Sequence, residues 1–146
     1  LAALATLSLD ATAADRAARG IILQTDGLDR SLLLAHDGDL MYRAVLNLLQ
    51  NAAESMRKGG TLTVQARATG AVRTVTFRDT GCGLTAAEQQ RVMEPFFTTK
   101  GGGTGLGLTF VLKAVEAHGG SMHLESWPGQ GTEIMLTLPG DGTEKR

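Results

Sequence analysis

Five glycines, Gly101, Gly102, Gly103, Gly105 and Gly107, fall within seven residues, and the apolar positions after them, Leu108, Val111, Leu112 and Val115, have helical spacing. A glycine-rich loop that runs into a helix offers backbone N–H groups with no internal partner, and glycine lets the backbone approach a ligand closely. Together these make a cradle for phosphate. The same composition also serves as a flexible linker. Two familiar phosphate loops are absent: no G-x-x-x-x-G-K-[ST] occurs, and G-x-G-x-x-G fails because Leu106 and Leu108 stand where its third glycine belongs. Two further features bear on chemistry. Asn47 and Asn51 lie one helical turn apart in a polar stripe that continues through Glu54, Ser55 and Lys58. Asparagine competes for backbone hydrogen bonds in mid-helix, so the pair marks either a ligand-facing surface or an ordinary solvated face. Asp79 stands two and four residues before Gly81 and Gly83, which makes it either a turn former or a carboxylate held at the edge of a site.

These residues need elements to hold them. The spacing of Met41, Val45, Leu48, Leu49, Ala52 and Met56 predicts a helix from 37–39 to Lys58, closed by Gly59 and Gly60. Short apolar runs at 21–24 and 31–35, separated by Asp26 and Gly27, predict two strands with a turn. Alternation at 61–67 and 72–78 predicts a hairpin whose second strand delivers Asp79. Thr85 and Glu88 form a capping box for a short helix to about Met93. Pro95 stops that helix, Phe96 and Phe97 anchor the next segment at one end, and 94–104 reads as a hinged lid. The helix after the glycines ends at Gly119 and Gly120, and 121–127 with 132–138 reads as a last strand pair joined by Pro128, Gly129, Gln130 and Gly131. Segment 1–19 reads as an alanine-rich connecting helix and 141–146 as a polar tail.

Composition narrows the classes. A chain of 146 residues, 42% hydrophobic, supports one domain with a real core. Fourteen basic and fifteen acidic residues leave a net charge of −1, which excludes a nucleic-acid surface, so any anion is bound locally. The single Cys82 excludes an internal disulfide and any multi-cysteine zinc site. Its redox implication, and the absence of a signal peptide or apolar span at the start, lead to the expectation of a cytoplasmic domain without membrane contact of its own.

The features occur in an order that resembles a known family. Asn47-Leu-Leu-Gln-Asn51-Ala-Ala, Asp79-x-Gly-x-Gly, Glu94-Pro-Phe-Phe-Thr-Thr-Lys100 and Gly103-x-Gly-Leu-Gly-Leu108 resemble the N, first glycine, F and second glycine boxes of bacterial sensor histidine kinases. These are members of the superfamily of gyrase, heat-shock chaperones, histidine kinases and mismatch-repair proteins. The resemblance runs from about Gly20 to Pro139 and is nearest in form to the nitrogen-regulation sensors. It implies an α+β fold: a two-layer sandwich, with a mixed, mostly antiparallel sheet of about five strands covered on one face by about three helices, and an ATP lid. It divides the chain into a connecting helix at 1–19, an ATP-binding catalytic domain at 20–140 and a tail at 141–146.

For the site, the resemblance implies ATP and Mg²⁺. Asp79 matches the carboxylate that accepts the adenine amino group. Gly81 and Gly83 match residues beside the ring, where a side chain would collide with the base, and Thr132 matches a hydroxyl that shares a water with the aspartate. Asn51 matches the magnesium ligand, a hard neutral oxygen donor suited to an ion that keeps several waters. Asn47 lies beside the same phosphates. Gly103, Thr104, Gly105, Leu106, Gly107 and Leu108 face the polyphosphate through their backbone, with Lys100 as a further catalytic contact. Ala52, Ser55, Leu84 and Thr99 complete the nucleotide contacts. Glu54 stands where many relatives carry a basic residue.

Two departures shape the expected activity. ATP-hydrolysing relatives carry a glutamate where this chain has Asn47, and an amide cannot act as a general base. None of His36, His118 and His123 lies in an H-E/D-x-x-x-P-type acceptor box. The expectation is a histidine kinase catalytic piece whose phosphoacceptor lies on a separate dimerisation domain, with a response-regulator receiver domain downstream and Leu1 to Ala5 as the remnant of a connection. A membrane anchor on the parent protein is left open. The alternatives are an ATP/ADP-binding switch or scaffold without transfer, and an anti-sigma-type serine kinase.

Overall fold

The computed structural model describes residues 20–25, 38–94 and 107–139. In chain order these form strand β1 (Ile21–Gln24), helix α1 (Gly38–Ser55), strands β2 (Gly60–Thr69) and β3 (Val72–Asp79), helix α2 (Ala86–Arg91), helix α3 (Gly107–Ala117), and strands β4 (Ser121–Trp127) and β5 (Gly131–Pro139). The connecting helix at 1–19, the strand at 31–35, the lid beyond Glu94 and the tail lie outside the described residues.

One mixed sheet runs β1-β2-β3-β5-β4. β1 pairs with β2 in parallel, and every other pair is antiparallel. A parallel pair needs a crossover connection, and α1 stands between β1 and β2 in the chain. Alternation then sorts the side chains. Leu62, Val64 and Ala66 of β2, Val75 and Phe77 of β3, and Ile134, Leu136 and Leu138 of β5 are buried on one face. Against them pack Met41, Ala44, Val45, Leu48, Leu49, Ala52, Ala53 and Met56 from α1 and just beyond its end, with Val111, Ala114 and Val115 from α3. The opposite face carries Thr63, Gln65, Thr76 and Arg78 at the alternate positions. The expected two-layer α+β sandwich is thus present, its helical layer made by α1 and α3. The short α2 buries none of its residues. No described helix is long and apolar enough to cross a membrane.

The helix ends show what local sequence decides. Thr85 caps α2 with both bonds of the capping box, Glu88 N–H to Thr85 Oγ1 at 3.1 Å and Thr85 N–H to Glu88 Oε1 at 2.9 Å. α3 closes in a Schellman motif: Gly120 N–H reaches the Val115 carbonyl and Gly119 N–H the Glu116 carbonyl, both at 2.9 Å, with Gly119 at φ 78°. α1, in contrast, stops at Ser55 and not at Lys58. Met56, 2% exposed, turns into the core, and a tight turn with Gly59 N–H on the Met56 carbonyl (3.0 Å) takes the place of the last helical turn. The Ser55 carbonyl is thereby freed to accept the Cys82 N–H at 3.1 Å.

Candidate functional site

Asp79 ends β3 on the helix-covered face, in phase with Val75 and Phe77, and is 7% exposed. A buried carboxylate is costly unless hydrogen-bonded. Here Oδ1 accepts the Gly81 N–H at 2.8 Å and the Thr132 N–H at 3.3 Å. The first is the local turn expected of an aspartate two residues before its donor. The second crosses to β5 and holds Thr132 beside the carboxylate through its backbone.

The loop after Asp79 is bonded on three sides. Cys82 N–H donates to the Ser55 carbonyl at the end of α1, Gly129 N–H in the β4–β5 turn donates to the Cys82 carbonyl at 2.7 Å, and Leu84 N–H donates to Ser126 Oγ at 2.8 Å. Such closeness requires glycine. A Cβ on Gly81 would overlap Ser55 Oγ and press on the Ser55 carbonyl, and one on Gly83, which has φ 67°, would overlap the Trp127 carbonyl. A Cβ on Gly131, at φ 119°, would overlap the Asp79 carbonyl. The sequence reading placed the obstacle at Gly81 and Gly83 in a bound base. In the folded chain, the protein's own backbone already forbids a side chain at both.

The polar stripe of α1 faces the start of α3. Asn47 donates Nδ2–H to the Arg43 carbonyl at 3.0 Å, and its Oδ1 lies beside Gly107. A Cβ on Gly107 would lie 3.4 Å from Asn47 Oδ1 and 3.8 Å from Asn51 Nδ2, so the first residue of α3 sits directly over both amides. Between this pair and the Asp79 loop lies a cleft of about 800 Å³. Asn47, Asn51 and Ser55 line one wall, Asp79, Gly81 and Thr132 the floor, and Gly107 and Leu108 the far end. Ala52, Met56, Phe77, Leu84 and Ile134 supply an apolar lining, the mixture expected of a small-molecule site.

Of the residues singled out from the sequence, Asn47, Asn51, Ala52, Ser55, Asp79, Gly81, Gly83, Leu84, Gly107, Leu108 and Thr132 all border this cleft. Thr99, Lys100, Gly103, Thr104, Gly105 and Leu106 lie outside the described residues. His118 is buried at the end of α3 with Nδ1 2.8 Å from the Ala114 carbonyl, and His123 is exposed on β4 with Nε2 3.0 Å from Glu125 Oε1. Two residues escaped the sequence reading. Ser126 is buried behind the floor, and Gln89 of α2 donates Nε2–H to the Ser126 carbonyl at 2.8 Å. A signal for Ser126 existed: it shares the inward phase of β4 with Met122 and Leu124, where a hydroxyl is out of place.

Among the described residues no three of His, Cys, Asp and Glu gather as a metal cluster. Among the described residues, the side-chain amides beside Gly107 are those of Asn47 and Asn51. That set fits a magnesium ion that draws most of its shell from water and phosphate oxygens, and it does not fit a metal held by the protein alone.

The family model described as Histidine kinase-, DNA gyrase B-, and HSP90-like ATPase matches residues 36–142. The chain is 38% identical over 141 residues to the sensor histidine kinase ZraS of Klebsiella oxytoca, covering 96% of this chain and 30% of that protein. It is 35% identical over 120 residues to sporulation kinase A of Bacillus subtilis, covering 82% of this chain and 20% of that one. The chain therefore spans less than a third of these relatives. In three dimensions it is similar to the catalytic domain of histidine kinase ThkA, with a TM-score of 0.82 at 24% identity over 99% of this chain and 95% of that one.

Proposed function

The chain belongs to the histidine kinase-, DNA gyrase B-, and HSP90-like ATPase family, and from that premise we propose that it is the ATP-binding catalytic domain of a sensor histidine kinase. It transfers the γ-phosphoryl group of ATP to a histidine on a separate dimerisation domain, from which a response-regulator receiver domain takes it. The observation that carries this reading is the shared cleft: Asp79 and Thr132 at its floor, Asn47 and Asn51 on its wall, and the start of α3 across from them.

Adenine lies on the floor, with its amino group donating to the Asp79 carboxylate, and the apolar lining stacks on its faces. The phosphates run along α1 toward Gly107, where the helix start favours negative charge. Asn51 would be the protein's ligand to magnesium. Magnesium, when bound, supplies the charge neutralisation that phosphate oxygens need as they crowd together. Asn47 sits beside the terminal phosphate as a hydrogen-bonding amide that cannot take a proton from water. ATP is therefore held for a nucleophile brought by another domain. The imidazole nitrogen attacks phosphorus in line, the new P–N bond forms as the bridging P–O bond breaks, and the electron pair leaves with ADP. Positioning and charge stabilisation are most of what this reaction requires of the protein. Lys100 and the backbone of 103–106 are proposed to close over the phosphates, and 20–140 to be the working domain behind a connecting helix at 1–19.

Calorimetric titration with a non-hydrolysable ATP analogue, with and without Mg²⁺ and with its guanine counterpart, tests the site; adenine-selective, magnesium-dependent binding is expected. Phosphate transfer to a supplied dimerisation domain tests the chemistry. Binding without transfer would leave a nucleotide-responsive switch, and no binding would leave a scaffold. Fast steady hydrolysis of ATP by the chain alone would overturn the role given to Asn47.

A further inference from the structure

Ser126 is 6% exposed and lies behind the cleft, while Thr132 lines it. Three contacts meet at Ser126 Oγ: the Leu84 N–H at 2.8 Å, the Gly131 carbonyl at 3.1 Å and Thr132 Oγ1 at 2.7 Å. A hydroxyl has one proton to give and two lone pairs to offer. The Gly131 carbonyl can only accept, so it takes the Ser126 proton. The Leu84 N–H can only donate, so it occupies one lone pair. Thr132 must then donate to the other. No other assignment satisfies all three contacts, and buried polar groups are almost always satisfied.

The consequence falls on the cleft. With its single proton drawn back to Ser126, the Thr132 hydroxyl presents lone pairs alone. Beside it, Asp79 Oδ1 is an acceptor too, already taking two backbone N–H groups. We infer that Ser126 is a positioning residue for base selection, which makes the cleft floor an acceptor-only surface by fixing the direction of the Thr132 hydroxyl. Such a floor takes a purine whose edge carries an amino group and rejects one with a carbonyl oxygen there, because two acceptors face each other with no proton between them. A hydroxyl free to rotate would donate to that oxygen and blunt the distinction. This inference rests on the ATP reading and adds a residue that does not touch the base.

The experiment compares affinities for non-hydrolysable ATP and its inosine counterpart, which bears a carbonyl oxygen in place of the amino group. It uses the parent chain, Ser126→Ala, Thr132→Val and the double variant. Ser126→Ala is expected to lower the adenine-to-hypoxanthine affinity ratio about tenfold, the worth of one well-made hydrogen bond. In the Thr132→Val background it should leave the ratio unchanged, since no hydroxyl remains to be turned. A general loss of packing would weaken both nucleotides alike, so an unchanged ratio in Ser126→Ala overturns the inference. Should Ser126→Ala fail to fold, the near-isosteric Thr132→Val decides: a ratio equal to the parent's overturns it as well. A parent chain with no preference for adenine would instead remove the ATP reading, and the inference with it.

Discussion

The two ends of the cleft are built differently. At the Asp79 end, a buried carboxylate, a loop tied to α1 and to the β4–β5 turn, and three glycines pressed against backbone leave almost nothing free to adjust. At the α3 end, side-chain amides on one helix face Gly107, the first residue of another. On the proposed ATP reading, the difference teaches where each kind of recognition is stored. Selection of a flat base requires fixed donors and acceptors, which main-chain hydrogen bonds provide. Holding a flexible, charged phosphate chain requires groups that a metal ion and water can complete.

That contrast can be broken by substitution. Gly83→Ala should have the largest effect, since φ 67° and the Trp127 carbonyl both oppose it. A loss of about 2–4 kcal/mol is expected in denaturant unfolding, and a midpoint like the parent's would show that the loop is more yielding than described. Asp79→Asn should come next, weakening ATP by roughly 1–3 kcal/mol in calorimetry while the guanine counterpart weakens less. Asn51→Ala should abolish the enhancement of ATP binding by Mg²⁺ and leave magnesium-free binding in place. If magnesium still strengthens binding in that variant, the ion is held elsewhere. Thr85→Ala should matter least to the site. Losing the α2 cap costs about 1 kcal/mol of stability, with ATP affinity changed less than about twofold in titration.

The two ends also differed in how much of them the sequence displayed. Periodicity placed β1 at Ile21–Gln24 and β4 at Ser121–Trp127 with the bounds observed, and the stripe from Met41 to Met56 is buried as its spacing implied. Asn47 and Asn51 were legible because they break a helical preference within a single element. The floor was legible only in part. Asp79 announces itself beside glycines, but the reason for Gly81 and Gly83 is backbone arriving from Ser55 and Trp127, which no local pattern records. Ser126 and Leu84 are bonded across 42 positions of chain; the inward phase of Ser126 marks its hydroxyl as unusual, but nothing local names its partner. The early end of α1 has the same origin, because a tertiary bond to Cys82 competes with the last helical turn.

The bond from Ser55 to Cys82 has one more consequence. Helix α1 is clamped to the loop after Asp79 at one end, and its two asparagines stand along it at fixed rise, about 6 Å and about 12 Å from Ser55. On the proposed ATP reading it works as a ruler laid beside the nucleotide, with its zero at the base and its last mark at Asn47. A ligand one phosphate shorter stops before that mark, so Asn47→Ala should weaken ATP in titration while ADP binds as before. On that reading, the domain tells spent nucleotide from fresh by length.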